Sequence, residues 1–358
     1  MMKQKIVMCL LVGVLVLGMN GCGAQKVEVP EVENVETVEE EPAPEETDTE
    51  IAQEEAPAEE KSEAEEDPEQ SDVEAASEEV PTVDDAAESE NTEPEETEEA
   101  SAPVVYEAGG QIPLDPSWTY ADHSKINSGA AVLYKAAENR KEIVVGVNAG
   151  HGTSGGTKVK TLCHPDGSAK VTGGTTAAGA TEAVAVSSGM TFNDGTPESS
   201  VTLRMAQILK EKLLAAGYDV LMLRDGDDVQ LDNVARTVIC NNAADCHIAL
   251  HWDGDGLNYD KGCFYISVPD GLKSMEPVAS HWSEHNTLGS ALVEGLRAQG
   301  AKINGGGSMS IDLTQTSYST VPSVDMELGN ACSDHSDSAL ELLGDGLVQG
   351  VNSYFGQS

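Results

Sequence analysis

The chain has 358 residues, with 63 acidic against 20 basic side chains and a formal net charge of −43. Nothing basic is gathered in it, so nucleic acid is not an expected partner. The charge is uneven. Residues 23–101 hold 33 Asp and Glu against Lys26 and Lys61, too little apolar surface to offset the entropy of ordering, while the remaining residues, about 250 from position 107 on, suffice for one domain.

The N-terminus reads as a targeting segment. Lys3 and Lys5 precede an apolar run from Ile6 to Leu17, which is too short for a comfortable membrane span. Met19-Asn20-Gly21-Cys22 follows, and a small residue before Cys at this place resembles the lipobox of bacterial lipoproteins. The resemblance implies a signal peptide over 1–22, lipid on Cys22 and anchoring to the bacterial cell membrane; a plain secretory signal is the weaker option. Either places the domain outside the cytoplasm. Residues 23–103 read as a disordered acidic linker, extended by its own repulsion. Of seven cysteines, Cys163, Cys240, Cys246, Cys263 and Cys332 belong to the domain. One or two disulfides and buried free thiols are both open readings.

Along the domain, 104–125 reads as an irregular lead-in and Gly129 to Asn139 as a short helix, from its Ala, Leu and Lys content. Ile143 to Val147 is a β-branched apolar strand running into Asn148-Ala149-Gly150-His151-Gly152. Residues 152–197, rich in Gly, Thr and Ser, read as a long loop or insertion with room for a hairpin. Pro197-Glu198 opens a helix with Val201, Met205, Ile208, Leu209 and Leu213 on one stripe, stopped by Gly217. Strands follow at 218–223, 246–250, 262–268 and 323–326, and helices at 231–242, 288–299 and 339–355. This alternation predicts an α/β domain over 107–358, a twisted, mostly parallel or mixed sheet flanked by helices. Such sheets place ligands at the carboxyl ends of their strands. His151, His251 and Glu327 fall at such ends, and Glu198 opens a helix. Two imidazoles and two carboxylates in these contexts suit one hydrolytic zinc site.

Five pieces in order then carry a resemblance. They are Gly150-His151-Gly152; Glu198 leading a Leu-rich helix to Gly217-Tyr218-Asp219-Val220; Leu223-Arg224-Asp225; Arg236, Asn241 and Ala244-Asp245 before His251; and Pro322 to Glu327-Leu328-Gly329-Asn330. Together they resemble the zinc-dependent N-acetylmuramoyl-L-alanine amidases of the type-3 family, which cleave bacterial peptidoglycan. The resemblance implies His151, Glu198 and His251 as ligands of Zn2+ and Glu327 as the catalytic carboxylate. Asn148 stands where the family often has Asp, and Trp252-Asp253 where it often has Ala-Asn. The gap between His151 and Glu198 is longer than usual, and the insertion is expected to cover or shape the substrate groove.

Bland alternatives exist for each residue. Glu198 is also a favourable charge at a helix start, and Glu327 could pair with Arg224 or Arg236, which read as scaffold partners. His281-Trp282-Ser283-Glu284-His285 matches the His-x-x-Glu-His of inverted zincins. Helix signals there are weak, so a surface loop is the expectation. At the level of function, the rivals to a peptidoglycan amidase are a non-catalytic wall-binding lipoprotein on the same fold and a zinc peptidase cutting elsewhere in the stem peptide. No protein activator is identifiable.

Overall fold

The computed structural model describes residues 109–357. The expected signal peptide, the expected lipid site Cys22 and the expected acidic linker lie outside the described residues. The strands are β1 (Gln111–Pro113), β2 (Ala130–Tyr134), β3 (Val144–Ala149), β4 (Lys160–Leu162), β5 (Glu182–Val184), β6 (Asp219–Met222), β7 (Cys246–Asp253), β8 (Cys263–Ser267), β9 (Ile303–Ser310) and β10 (Ser323–Asn330). The helices are α1 (Glu198–Ala215), α2 (Asn233–Ala243), α3 (Val278–Ala298), α4 (Thr314–Tyr318) and α5 (Asp337–Tyr354).

Eight strands form one sheet in the order β1-β2-β6-β3-β7-β10-β8-β9. Its middle, β6, β3, β7 and β10, is parallel, with antiparallel pairings at β1/β2, β2/β6 and β10/β8. The expected mixed α/β sheet is therefore present. Alternation along the strands sorts the two faces. Cys246, Ile248, Leu250 and Trp252 of β7, with Val324, Met326 and Leu328 of β10, join α1, α3 and α5 in the main core. His247, Ala249 and His251, with Ser323, Asp325 and Glu327, point the other way, toward the face that carries α2. Burying a continuous apolar face under three helices supplies the main driving force for the fold.

Several expectations are corrected. Residues 129–139 are not helical: Ala130–Tyr134 is strand β2, whose Ala131 and Leu133 are buried. Pairing with β1 and β6 outweighs the helix propensity of Ala, Leu and Lys, and Asn139 at φ 49° ends any helical path. The lead-in contains β1. Helix α3 starts ten residues earlier than expected, so His281 and His285 sit on a helix, not a surface loop. There His285 Nδ1 accepts the Ser323 N–H (2.9 Å) and His281 faces Glu284, so the pair serves packing. Strand β9 and helix α4 lack clear signals, since β9 reads Ile-Asn-Gly-Gly-Gly-Ser-Met-Ser. The insertion does contain a hairpin, β4 against β5. All five domain cysteines are free, four of them buried.

Candidate metal centre

Three of the expected residues converge. One ligand atom each from His151, Glu198 and His251 lies within 4.8 Å of the others. His151 Nε2 is 2.8 Å and His251 Nδ1 is 3.2 Å from Glu198 Oε1, and the two imidazole nitrogens are 3.1 Å apart. Donors at about 2.0–2.1 Å around a tetrahedral ion stand ~3.3 Å from one another, so this triangle fits a small divalent cation with nitrogen and oxygen ligands. The group can therefore hold a metal ion.

Two of the donors are aimed from behind. His151 Nδ1–H donates to the Ser187 carbonyl (3.0 Å), which leaves the Nε2 lone pair facing the centre. Glu198, at the N-terminus of α1, accepts the Trp252 backbone N–H on Oε1 (3.0 Å) and the Met190 N–H on Oε2 (2.8 Å). Burial opposes its charge, but the bonds to His151 and His251 outweigh that and hold its carboxyl well below the usual carboxylate range. For His251, burial opposes the imidazolium. Asp325, the bond to Glu198, and Glu327 together outweigh it and push the ring up to about 10. A site this acidic favours a cation.

The His151 loop is irregular. His151 has φ 65°, a left-handed conformation uncommon for a residue with a side chain. Two buried arginines hold it. Arg236 places all five N–H donors, on Leu231 O, Asn148 Oδ1, Ala149 O, His151 O and Thr153 Oγ1. Arg224 reaches Ala149 O, Gly150 O, Ser199 O and Thr202 Oγ1. Both are scaffold residues, and neither bonds Glu327. Asn148 serves as an acceptor for Arg236. Gly150 has a steric reason: a Cβ there would stand 2.3 Å from His251 Cε1. At Gly189 (φ 80°) a Cβ would meet His151 Cδ2 at 2.7 Å and Glu198 Oε2 at 2.8 Å.

Sheet register supplies the fourth expected residue. Glu327 pairs directly with His251 across β10 and β7, so both side chains leave the same face side by side. They stand inside strands that continue to Asn330 and Asp253, not at the strand ends. Glu327 Oε2 is buried without a hydrogen-bond partner among the described residues. Burial, then the charge of Asp325, push its carboxyl well above the usual range. Asp325, two residues earlier on the same face, was not singled out from sequence. Its signal was the alternation Val324-Asp325-Met326-Glu327-Leu328, two acids on one side of an apolar strand.

His151, Glu198, His251, Asp325 and Glu327 line one groove of about 660 Å3. The insertion supplies part of its wall, through Lys170, Gly174–Thr176 and Ser187–Met190, as expected. It is pinned by Asp312, which accepts from His164 Nε2 (2.9 Å) and from the Val171 N–H (2.7 Å).

A family model described as N-acetylmuramoyl-L-alanine amidase matches residues 145–342. The chain belongs to this family, enzymes that cleave peptidoglycan at the amide between N-acetylmuramic acid and L-alanine. No curated protein matches the chain. Among solved structures, it is similar to the amidase Ami1 of Mycobacterium smegmatis, with 20% identity, a TM-score of 0.50, and coverage of 61% of this chain and 99% of that one. It is also similar to apo Ami1 of Mycobacterium abscessus, with 21% identity, a TM-score of 0.48, and coverage of 60% and 99%. At 20% identity the likeness to the Mycobacterium smegmatis enzyme speaks for the fold alone.

Proposed function

We propose that this peptidoglycan amidase hydrolyses its substrate at a Zn2+ ion held by His151, Glu198 and His251, with Glu327 as the catalytic carboxylate. The observation that carries the proposal is the triangle of three donor atoms, with His151 and Glu198 fixed from behind, beside a buried carboxylate whose Oε2 has no partner among the described residues. Two neutral imidazoles and one carboxylate suit zinc and leave a position open for substrate or water. When bound, the ion supplies Lewis acidity toward water and the scissile carbonyl. The Glu327 carboxylate takes the proton of the attacking water and passes it to the nitrogen that departs with L-alanine. The positive charge of the ion also favours the ionised carboxylate that this step requires, against the burial that disfavours it.

The lipobox-like Met19-Asn20-Gly21-Cys22 supports a lipid anchor on Cys22, and the acidic segment then acts as a tether. An extended, self-repelling chain of that length spans on the order of 100 Å, a reach that suits a membrane-bound enzyme acting on the wall outside it.

The test is zinc content of the purified chain together with a peptidoglycan digest. We expect about one zinc per chain and new L-alanine amino termini on sugar-free peptides. A zinc-free protein that pellets with wall material and releases nothing would overturn the proposal, and release of other termini would indicate a peptidase.

A further inference from the structure

Three rungs run along the site face of the sheet. Glu327 stands beside His251, Asp325 beside Ala249, and Ser323 beside His247, while Asn148 of β3 flanks Ala249 from the other side. On the middle rung Asp325 lines the groove. It is only 9% exposed, and its buried Oδ1 has no hydrogen-bond partner among the described residues. A buried acceptor without a donor is costly and uncommon in native proteins.

Among the described residues, no neighbour supplies that donor. Every N–H of Arg236 is engaged elsewhere, and both N–H groups of Gln315 go to Ser323 Oγ and Val324 O. Asp325 also lies outside the group of three metal-binding atoms. The residue opposite it on the rung is alanine, which leaves room above the carboxylate. Two residues of strand separate Asp325 from Glu327, about 6.7 Å. A donor meeting Asp325 therefore belongs to a substrate group adjacent to the scissile amide.

We propose that Asp325 is a substrate-recognition residue, whose carboxylate accepts an N–H of the muramoyl peptide next to the bond being cut. The inference rests on the reading of this groove as the amidase site. Two N–H groups have the required chemistry: the acetamido N–H on the sugar and the peptide N–H that follows L-alanine.

Steady-state kinetics on a muramoyl peptide, with zinc content measured in parallel, tests this for wild type, Asp325→Leu and Asp325→Asn. The Leu variant is expected to raise KM about tenfold or more at unchanged zinc content, as when a buried charge-assisted hydrogen bond is lost. The Asn variant keeps an acceptor oxygen, so most of that loss should be recovered. Two analogues distinguish the sources: one lacks the acetamido group, the other is N-methylated at the second peptide bond. The analogue lacking the recognised N–H should bind wild type and Leu variant equally, whereas the other keeps the gap. Wild type alone should show a raised KM for one analogue, which keeps the test valid if the Leu variant fails to fold. A Leu variant with wild-type KM, a gap that persists with both analogues, or activity lost in step with zinc would each overturn the role of Asp325. Wild-type protein that releases no L-alanine termini would instead sink the amidase reading of the site, and this inference with it.

Discussion

The two halves of the centre are held in place by different means. His151 stands on a left-handed turn outside the sheet, and its position depends on two buried guanidinium groups that gather the carbonyls around it. His251 and Glu327 stand on neighbouring parallel strands, where the pairing register alone sets them side by side. A strand residue inherits its direction from the pleat, whereas a loop residue needs side-chain partners to fix it. Glu198 joins the halves: its carboxylate meets both imidazoles, and both of its oxygens accept backbone N–H groups.

The comparison breaks most sharply at the strand half. His251→Ala removes a donor outright, so zinc content and amide cleavage should both be lost. The fall in affinity should exceed the roughly 10–100-fold typical of losing an outer partner. Its neighbour on the same rung should behave differently. Glu327→Gln is expected to keep zinc while kcat falls by about 10²–10⁴, the usual weight of a general acid–base. Metal analysis beside single-turnover rates separates the two, and normal turnover in the Glu327 variant would remove it from the mechanism.

The loop half should fail through stability first. Arg236→Met removes five hydrogen bonds, four of them to atoms on or beside the His151 turn, and should cost about 3 kcal/mol or more. For a domain of this size that is a fall in Tm of roughly 6–12 °C. Zinc affinity should drop with it, by about 10–100-fold. A melting curve beside a zinc titration checks both. An unchanged Tm would mean that the turn needs no such scaffold.

Much of this site was legible in the sequence because its residues interrupt strong patterns. His151 sits between glycines after an apolar strand. His251 and Glu327 break apolar runs, and Glu198 opens a helix with a clear stripe. What escaped depends on contacts the sequence does not encode locally. The Met190 and Trp252 N–H groups that hold Glu198 are backbone atoms, whatever their side chains. Asp325 carried a readable signal, an acid alternating with apolar residues, but it was masked by the stronger motif around Glu327. The fold was misread at 129–139 and missed at 303–310. In both places a strand is recruited by its neighbours against local propensity, in one case from helix formers and in the other from glycines.

The smallest expected effect concerns pH. In the metal-free protein His251 is pushed to about 10, from an ordinary value near 6.5, because the surrounding carboxylates outweigh its burial. A group whose folded value is raised contributes stability in full below its unfolded value and loses it as pH rises toward the folded one. Metal-free protein should therefore lose stability between about pH 6.5 and 8.5, a window in which unfolded thiols still hold most of their protons. Glu327 and Asp325, raised by burial, act in the same direction. Zinc must displace the His251 proton, so its affinity should climb over the same window, and the loaded protein should lack the His251 part of the slope. Melts of chelator-treated and zinc-loaded protein at stepped pH, with His251→Gln as the control, isolate that part. If chelator-treated wild type and His251→Gln gave the same slope, the carboxylates around His251 would not be exerting the field that favours a cation there.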